Sequence, residues 1–296
     1  MFFAPRSKCA GSNSRDDIVR THKTSAVSKM AKFIGGRKGF RAWVDKHSPS
    51  DSRILPLTHI TRGIGADDIV ECGVIKVDKD FVFDQSVAYL FYGKPAYRLN
   101  DKDIVKLEAA CPFCFIFKAE LINKAKAIFA FDTGAFAKRL YSHILTDEMD
   151  IEDFLLEKDI SRPNKLISAT FGDAIRYIDG RFPASFSVET TAEAWEHHAR
   201  AYLHLITSFG RNEPDDRIHS IEIIFSEDIK IENNLLALVV PHTHWGDDKK
   251  APWLSSLHAK GVDILTYDFV PGKHPEHYHS LVEASVKDFY KIKGII

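Results

Sequence analysis

Three short stretches of the sequence carry the side chains best suited to chemistry. In the first, His59 and Thr61 occur within the stretch Leu-Thr-His-Ile-Thr that begins at Leu57. An imidazole can donate and accept hydrogen bonds, so His59 is a candidate to bind a ligand, and a half-buried strand residue with satisfied hydrogen bonds is the alternative.

The second stretch is an apolar run late in the chain, Ile-His-Ser-Ile-Glu-Ile-Ile-Phe at residues 218–225, with Glu222 as its only acid. A carboxylate without a partner is costly to bury among isoleucines. Glu222 must therefore face a cleft or a partner, and Arg217 is a candidate for an ion pair.

The third stretch, residues 89–98, is rich in aromatic residues and reads Tyr-Leu-Phe-Tyr-Gly-Lys-Pro-Ala-Tyr-Arg. Gly93 and Pro95 indicate a tight turn where the backbone approaches a ligand. The guanidinium of Arg98 could bind a pyrophosphate through two parallel hydrogen bonds.

A further acid, Asp132, follows the apolar residues 128–131 and precedes Thr-Gly-Ala-Phe. At this position it either orients a substrate or a neighbouring side chain, or caps a turn.

The elements that must position these residues are strands and helices mixed without regular βαβ alternation, which indicates the α+β class. Apolar and aromatic runs predict strands at 86–91, 112–117, 128–131, 219–225, 234–240 and 262–269. Helical spacing or composition predicts helices at 67–73, 119–127, 136–144, 191–209, 253–260 and 280–291.

Charge divides the chain into two parts. Residues 1–41 contain ten Lys or Arg and two acids, whereas the whole chain of 296 residues has a net charge of -1. We interpret residues 1–50 as a basic arm, either solvated or in contact with nucleic acid. Residues 51–296 are predicted to form a single domain, with an acidic and polar insertion around 146–190.

Membrane and secretion signals are not evident in the sequence. It has no run of 18 apolar residues, and the apolar start Met-Phe-Phe-Ala is too short for a signal peptide. The expected location is cytoplasmic, with reduced thiols.

The order of His59, the aromatic stretch and Glu222 resembles that of ADP-ribosyltransferases of the DNA-targeting toxin type and their diphtheria-toxin-like relatives. In that family a strand carries His-x-Thr or His-x-Ser, and the helix after it ends in Gly, which corresponds here to Gly73. The resemblance implies a split antiparallel or mixed β-sheet core with flanking helices.

The resemblance also implies that NAD⁺ is the co-substrate and binds in a bent form. His59 would then bind the ribose on the adenosine side, with Thr61 in support, and Tyr92 or Tyr97 would stack near nicotinamide. The other residues assigned to the NAD⁺ site are Tyr89, Phe91, Arg98 and Asp132.

By the same resemblance Glu222 would stabilise the oxocarbenium-like transition state, and we assign Tyr92 and Arg98 to the catalytic set beside it. The acceptor of ADP-ribose would be nucleic acid, a protein side chain or water. Ser220 stands where protein-arginine modifiers usually have a second acid, which makes that target less favoured. A toxin or an antiphage defence effector fits this activity.

Two other interpretations stay open. A metal-dependent hydrolase or nuclease would use the Cys and His residues of the chain, and a non-catalytic module would bind NAD or another nucleotide without chemistry. The residues available to a metal are Cys111, Cys114, His242, His244, His274, His277 and His279. The preferred interpretation assigns no metal ligand.

Overall fold

The computed structural model describes residues 31–96, 104–208 and 216–296. The helices are α1 (Gly39–Asp45), α2 (Gly63–Cys72), α3 (Thr133–Ala137), α4 (Arg162–Thr170), α5 (Ala174–Ile178), α6 (Val188–Thr191), α7 (His197–Thr207), α8 (Pro252–Ala259) and α9 (Pro275–Ile292). The strands are β1 (Leu57–Arg62), β2 (Val74–Ile75), β3 (Asp78–Lys79), β4 (Ser86–Tyr92), β5 (Pro112–Phe117), β6 (Ala127–Phe129), β7 (Leu155–Glu157), β8 (Glu222–Phe225), β9 (Ile229–Lys230), β10 (Leu235–Pro241) and β11 (Asp263–Tyr267). The α+β class is confirmed.

The main sheet has the order β11-β10-β5-β1-β4-β8-β6-β7, and β3 pairs with the outer end of β4. β10 and β11 run parallel, whereas the other strand pairs of the described residues are antiparallel. β5 lies inside the sheet and is buried along its whole length, as its continuous apolar run predicts. β2 and β9 form a separate two-stranded sheet.

A fork opens in this sheet between β1 and β4. Among the described residues these strands share only two paired positions, Leu57 with Tyr92 and Thr58 with Phe91. Beyond Thr58, β1 continues along β5 as far as Arg62. β4 instead stays paired with β8 from Phe91 back to Ala88. The centre of the sheet therefore has a gap whose walls are β1 and β4.

The N-terminal boundary predicted at residue 50 is corrected by α1. Phe40, Trp43 and Val44 of this helix are buried in the core. The indole nitrogen of Trp43 also donates a hydrogen bond to the Thr191 carbonyl oxygen (3.1 Å). α1 thus belongs to the folded body, while residues 1–30 of the basic arm lie outside the described residues.

The segment predicted as an exposed insertion, 146–190, is part of the core. Its strand β7 pairs with β6 at the edge of the sheet. Phe154, Leu155 and Leu166 are buried. The acidic residues of the segment lie between these apolar positions. The overall composition therefore looks polar and does not reveal that the apolar residues are buried.

The helix predicted over 191–209 begins only at His197, as α7, and residues 192–196 separate it from α6. In this break the Glu196 carboxylate accepts a hydrogen bond from the Glu193 N–H (2.9 Å) and pairs with Lys46 (2.5 Å). Trp195 is 72% exposed as a result. Among the described residues, no helix is both long and apolar enough to cross a membrane.

Candidate functional site

His59 stands at the fork. Its Nδ1 lies 3.1 Å from the carbonyl oxygen of Tyr89 on β4. A carbonyl only accepts, so Nδ1–H donates and Nε2 keeps its lone pair in the neutral ring. Burial lowers the pKa of His59, although the bond to Tyr89 opposes this shift. The half-buried His59 therefore offers a hydrogen-bond acceptor at neutral pH, which suits a ribose hydroxyl.

Thr61 lies two residues further along β1 and packs against the first turn of α2. A Cβ atom placed on Gly65 would come within 2.3 Å of the Thr61 hydroxyl oxygen. The absence of a side chain at Gly65 therefore lets β1 and α2 approach closely beside His59.

Glu222 is the first residue of β8 and lies between Phe91 on β4 and Phe129 on β6. It is only 3% exposed. One carboxylate oxygen accepts a hydrogen bond from the Thr133 N–H (3.1 Å). Burial, followed by the charge of Asp132, raises the pKa of Glu222 well above its usual range, and the Thr133 bond opposes this shift. Glu222 thus tends to keep its proton when the site is empty.

Asp132 holds the backbone that faces Glu222. Its carboxylate accepts a hydrogen bond from the Ala135 N–H (2.6 Å) and caps the start of α3. The capping role considered from the sequence is therefore confirmed. The cap also fixes the turn from which the Thr133 N–H reaches Glu222, so Asp132 acts on Glu222 through both geometry and charge.

Asp80 joins this group and was missed in the sequence. It follows β3, and one of its oxygens accepts hydrogen bonds from the N–H groups of Val82 (2.7 Å) and Phe83 (3.1 Å). Its charge contributes to raising the pKa values of both Tyr89 and Glu222. The only local signal was an acid ahead of the aromatic turn Phe-Val-Phe, which is equally typical of a structural turn.

The Tyr89 hydroxyl lies among these acids. It is buried, and the Asp80 carboxylate is close by. Burial first, and then the charge of Glu222, raise the pKa of Tyr89. We call Asp80, Asp132 and Glu222 together with the Tyr89 hydroxyl the acidic cluster.

Phe91 is the aromatic residue beside Glu222. It is directly paired with Glu222 on β8 and with Thr58 on β1. Directly paired residues of antiparallel strands project to the same face. The half-buried ring of Phe91 therefore lies on the same face of the sheet as the Glu222 carboxyl group.

Tyr92 is not placed to contact a ligand, which corrects both of its predicted roles. It is fully buried and follows Phe91, so it projects to the opposite face of β4. Its hydroxyl accepts a hydrogen bond from the Leu55 N–H (3.1 Å) and donates one to the Asn164 side-chain oxygen (2.8 Å). Tyr92 thus joins β4 to α4.

Three of the predicted side chains are not described. Tyr97 and Arg98 lie outside the described residues, as does the side chain of Arg217. Their predicted roles in stacking, pyrophosphate binding and ion pairing therefore stay predictions.

The Cys and His residues proposed for a metal are dispersed. Cys114 lies inside β5, and burial raises the pKa of the Cys111 thiol to about 11, which disfavours the thiolate that metals bind. His279 lies 3.5 Å from Glu283 on α9, far along the chain from either cysteine. No group of three potential ligands is brought together within the described ranges.

A groove of about 1510 Å³ lies elsewhere in the described structure. It runs between the end of α2, the turn after β9, α8 and the end of α9, and none of the predicted site residues lines it. We place the candidate site at the fork because the chemically unusual groups are there: an imidazole with a fixed tautomer and a buried acid with a raised pKa.

The structural role of Tyr92 predicts a loss of stability when its hydroxyl is removed. Tyr92→Phe leaves the Leu55 N–H and the Asn164 oxygen without this partner, so the free energy of unfolding should fall by about 1–3 kcal/mol. Urea denaturation measures the change. Tyr290→Phe is the matched control, because the buried Tyr290 hydroxyl forms no hydrogen bond among the described residues and its removal should not lower stability. Equal losses in both variants would contradict this assignment.

The raised pKa of Glu222 predicts a pH-dependent gain in stability for Glu222→Gln. Above about pH 4.3 the unfolded chain loses this proton while the folded chain keeps it, so the wild type loses stability as pH rises. Glutamine carries no such cost and still offers an oxygen to the Thr133 N–H. The Tm difference between Glu222→Gln and wild type should therefore be small near pH 4 and grow towards pH 8. Glu227→Gln, at an exposed position just after β8, should show no such trend.

Comparisons of the chain with protein-family models, with curated proteins and with solved structures give no match. The resemblance to ADP-ribosyltransferases therefore rests on the motifs of the sequence alone.

Proposed function

We propose that this chain is an NAD⁺-dependent ADP-ribosyltransferase with an ADP-ribosyltransferase-like split sheet, and that its active site is the fork between β1 and β4. One observation carries the proposal. His59 on β1 is hydrogen-bonded to β4 at the point where the strands part, and Glu222 lies on the next strand, directly opposite Phe91.

NAD⁺ binding begins at His59. The free Nε2 accepts a hydrogen bond from a hydroxyl of the ribose on the adenosine side, while Nδ1–H holds the ring to Tyr89. Phe91 takes the position near nicotinamide that the sequence suggested for Tyr92, because its ring shares a face with Glu222. Tyr97 and Arg98 keep their proposed roles beside nicotinamide and the pyrophosphate.

The acidic cluster supports the chemical step. The bond between the ribose C1′ and the nicotinamide nitrogen breaks, and its electron pair stays with nicotinamide. The acceptor forms the new bond to C1′ with its own lone pair. Glu222 as a carboxylate stabilises the positive charge that develops on the ribosyl group. Its raised pKa also suits it to take the proton that the acceptor releases.

The empty site favours protonated Glu222, whereas the mechanism needs the carboxylate. The positively charged nicotinamide of NAD⁺ resolves this conflict, because a nearby positive charge favours the ionised acid. We therefore infer that NAD⁺ binding releases a proton from Glu222. Asp80 and Asp132 hold the proton on Glu222 until the cation arrives.

The acceptor is a macromolecule, and the basic charge of residues 1–41 favours nucleic acid over protein. Ser220 is buried two residues before Glu222, where protein-arginine modifiers usually have an acid. Transfer to water would make the chain an NAD glycohydrolase. A toxin or antiphage effector acting in the cytoplasm is the setting that we propose.

The burial of Glu222 favours a second candidate, a module that binds NAD⁺ without chemistry. At 3% exposure, the carboxyl group is accessible to substrate only if the fork opens further. Binding of NAD⁺ with no release of nicotinamide under any condition would select this candidate.

The catalytic proposal predicts that Glu222→Gln loses activity and stays folded. We expect release of nicotinamide from labelled NAD⁺, in the presence of single-stranded DNA, RNA or protein, to fall about 100- to 1000-fold in kcat. Glu227→Gln should match wild type. Mass analysis of each acceptor identifies the modified molecule. Full activity of Glu222→Gln would remove Glu222 from the mechanism.

The role of His59 predicts weaker binding of NAD⁺. His59→Ala removes one hydrogen bond to the ribose and should raise the Kd for NAD⁺ about tenfold, equivalent to about 1.4 kcal/mol. Isothermal titration calorimetry measures this change. His277→Ala on the exposed side of α9 is the control and should bind as wild type. An unchanged Kd in His59→Ala would place NAD⁺ away from the fork.

A further inference from the structure

Lys94 is a buried lysine for which the proposed chemistry has no role. It follows the turn at Gly93 that ends β4, and it is only 4% exposed. Its side chain borders a pocket of about 590 Å³, which the end of α5, the turn before β8 and the middle of α9 complete. Burying an ammonium group without a counter-ion costs several kcal/mol, so its position requires an explanation.

Two acids line this pocket, Asp179 and Glu283, and Glu283 lies 3.5 Å from His279. Asp179 pairs with Lys287 and with Arg181 (2.5 Å for Arg181). These two partners keep the pKa of Asp179 below its usual value, although burial alone would raise it. Among the described residues, Lys94 forms no ion pair with a carboxylate. The pocket thus holds a lysine whose charge the described protein does not compensate.

Space is preserved at the head of this lysine. Gly180 has a φ of 62°, a conformation that favours glycine. A Cβ atom there would lie 3.6 Å from Lys94 Nζ and 3.3 Å from His219 Nδ1. His219 Nε2 is held by the Ile206 carbonyl oxygen (2.6 Å), which fixes the imidazole ring at the pocket wall. Because the Ile206 carbonyl only accepts, Nε2–H donates and Nδ1 of the neutral ring is an acceptor, so Lys94 Nζ is the group beside Gly180 that can bind an anion.

We propose that this pocket binds a phosphate group, with Lys94 Nζ as its principal ligand. Lysine binds phosphate oxygens as a compact point charge. Arg181 and Lys287 border the same pocket but both pair with Asp179, so Lys94 supplies the positive charge for the ligand. Its volume is within the range of small-molecule sites and admits a nucleotide-sized group around the phosphate.

The pocket lies near the candidate active site. Lys94 follows Phe91 by three residues and His219 precedes Glu222 by three, and Phe91 and Glu222 are paired. Three residues span at most about 11 Å of chain. A nucleotide could therefore reach from the pocket to Glu222. Assigning the phosphate to NAD⁺ or to a nucleic-acid acceptor rests on the proposed function, whereas binding of phosphate itself does not.

Phosphate binding is tested first with inorganic phosphate alone, titrated calorimetrically at constant ionic strength against chloride. Wild type should bind phosphate and gain Tm on its addition. Lys94→Met keeps the length of the side chain and removes the charge, so its affinity for phosphate should fall at least tenfold and its Tm should not respond. Lys124→Met, at an exposed lysine outside the pocket, should behave as wild type, and Lys94→Arg should retain binding.

Two further titrations separate the possible sources of the phosphate. Loss of affinity for NAD⁺ in Lys94→Met, with unchanged binding of a single-stranded oligonucleotide, assigns the pocket to the pyrophosphate of NAD⁺. The reverse pattern assigns it to the backbone of the acceptor. A loss confined to inorganic phosphate identifies a free phosphate ligand. Each of these results supports the pocket, even if no nicotinamide is ever released.

Two results would overturn the proposal. One is phosphate binding in Lys94→Met that equals wild type, because the principal ligand would then lie elsewhere. The other is equal affinity of wild type for acetate and phosphate, since that would reduce the pocket to a site for any anion. Circular dichroism of Lys94→Met confirms that lost binding does not reflect unfolding.

Discussion

Burial of the Glu222 carboxyl group between β4 and β6 sets the conditions for the whole candidate site. An acid at this depth is tolerated as the neutral form or with a compensating positive charge. The backbone supplies one hydrogen bond through Thr133, whose position depends on the cap that Asp132 forms on α3. The neighbouring acids then raise the pKa further. The local structure thus favours the protonated form of Glu222, and a positive charge nearby would favour the carboxylate.

The fork between β1 and β4 places His59, the other main residue of the candidate site, and it does so because a buried polar group needs a partner. Where β1 and β4 part, the Tyr89 carbonyl has no strand partner on the β1 side, and a buried carbonyl without a donor is costly. His59 supplies that donor through Nδ1 and is thereby fixed in the tautomer that leaves Nε2 free to accept. One hydrogen bond therefore both supplies a donor to the Tyr89 carbonyl at the gap and fixes the tautomer of the His59 ring.

The hydrogen bonds that fix the end of β4 come from distant parts of the chain. The side-chain oxygen of Asn164 on α4 accepts a hydrogen bond from the Tyr92 hydroxyl. The Tyr177 hydroxyl donates a hydrogen bond to the Tyr92 carbonyl oxygen (2.8 Å) and accepts one from the Ile221 N–H (3.2 Å). These bonds fix the ends of β4 and β8 relative to each other. The turn at Gly93, which follows Tyr92, positions Lys94 at its pocket. The two proposed sites are therefore positioned by the same hydrogen bonds at the end of β4.

The sequence by itself determined the class, the positions of six strands and those of α2, α7, α8 and α9, because local apolar runs and turn residues encode them. It also identified Glu222 as a candidate site residue, since an acid inside an apolar run is unusual in any fold. Only the tertiary structure decided that Phe91 rather than Tyr92 lies beside Glu222. Neighbouring aromatic residues on a strand face opposite sides, and pairing with distant strands chooses which side is the core. Asp80, Lys94 and the break before α7 likewise depend on partners far along the chain, which local patterns do not specify.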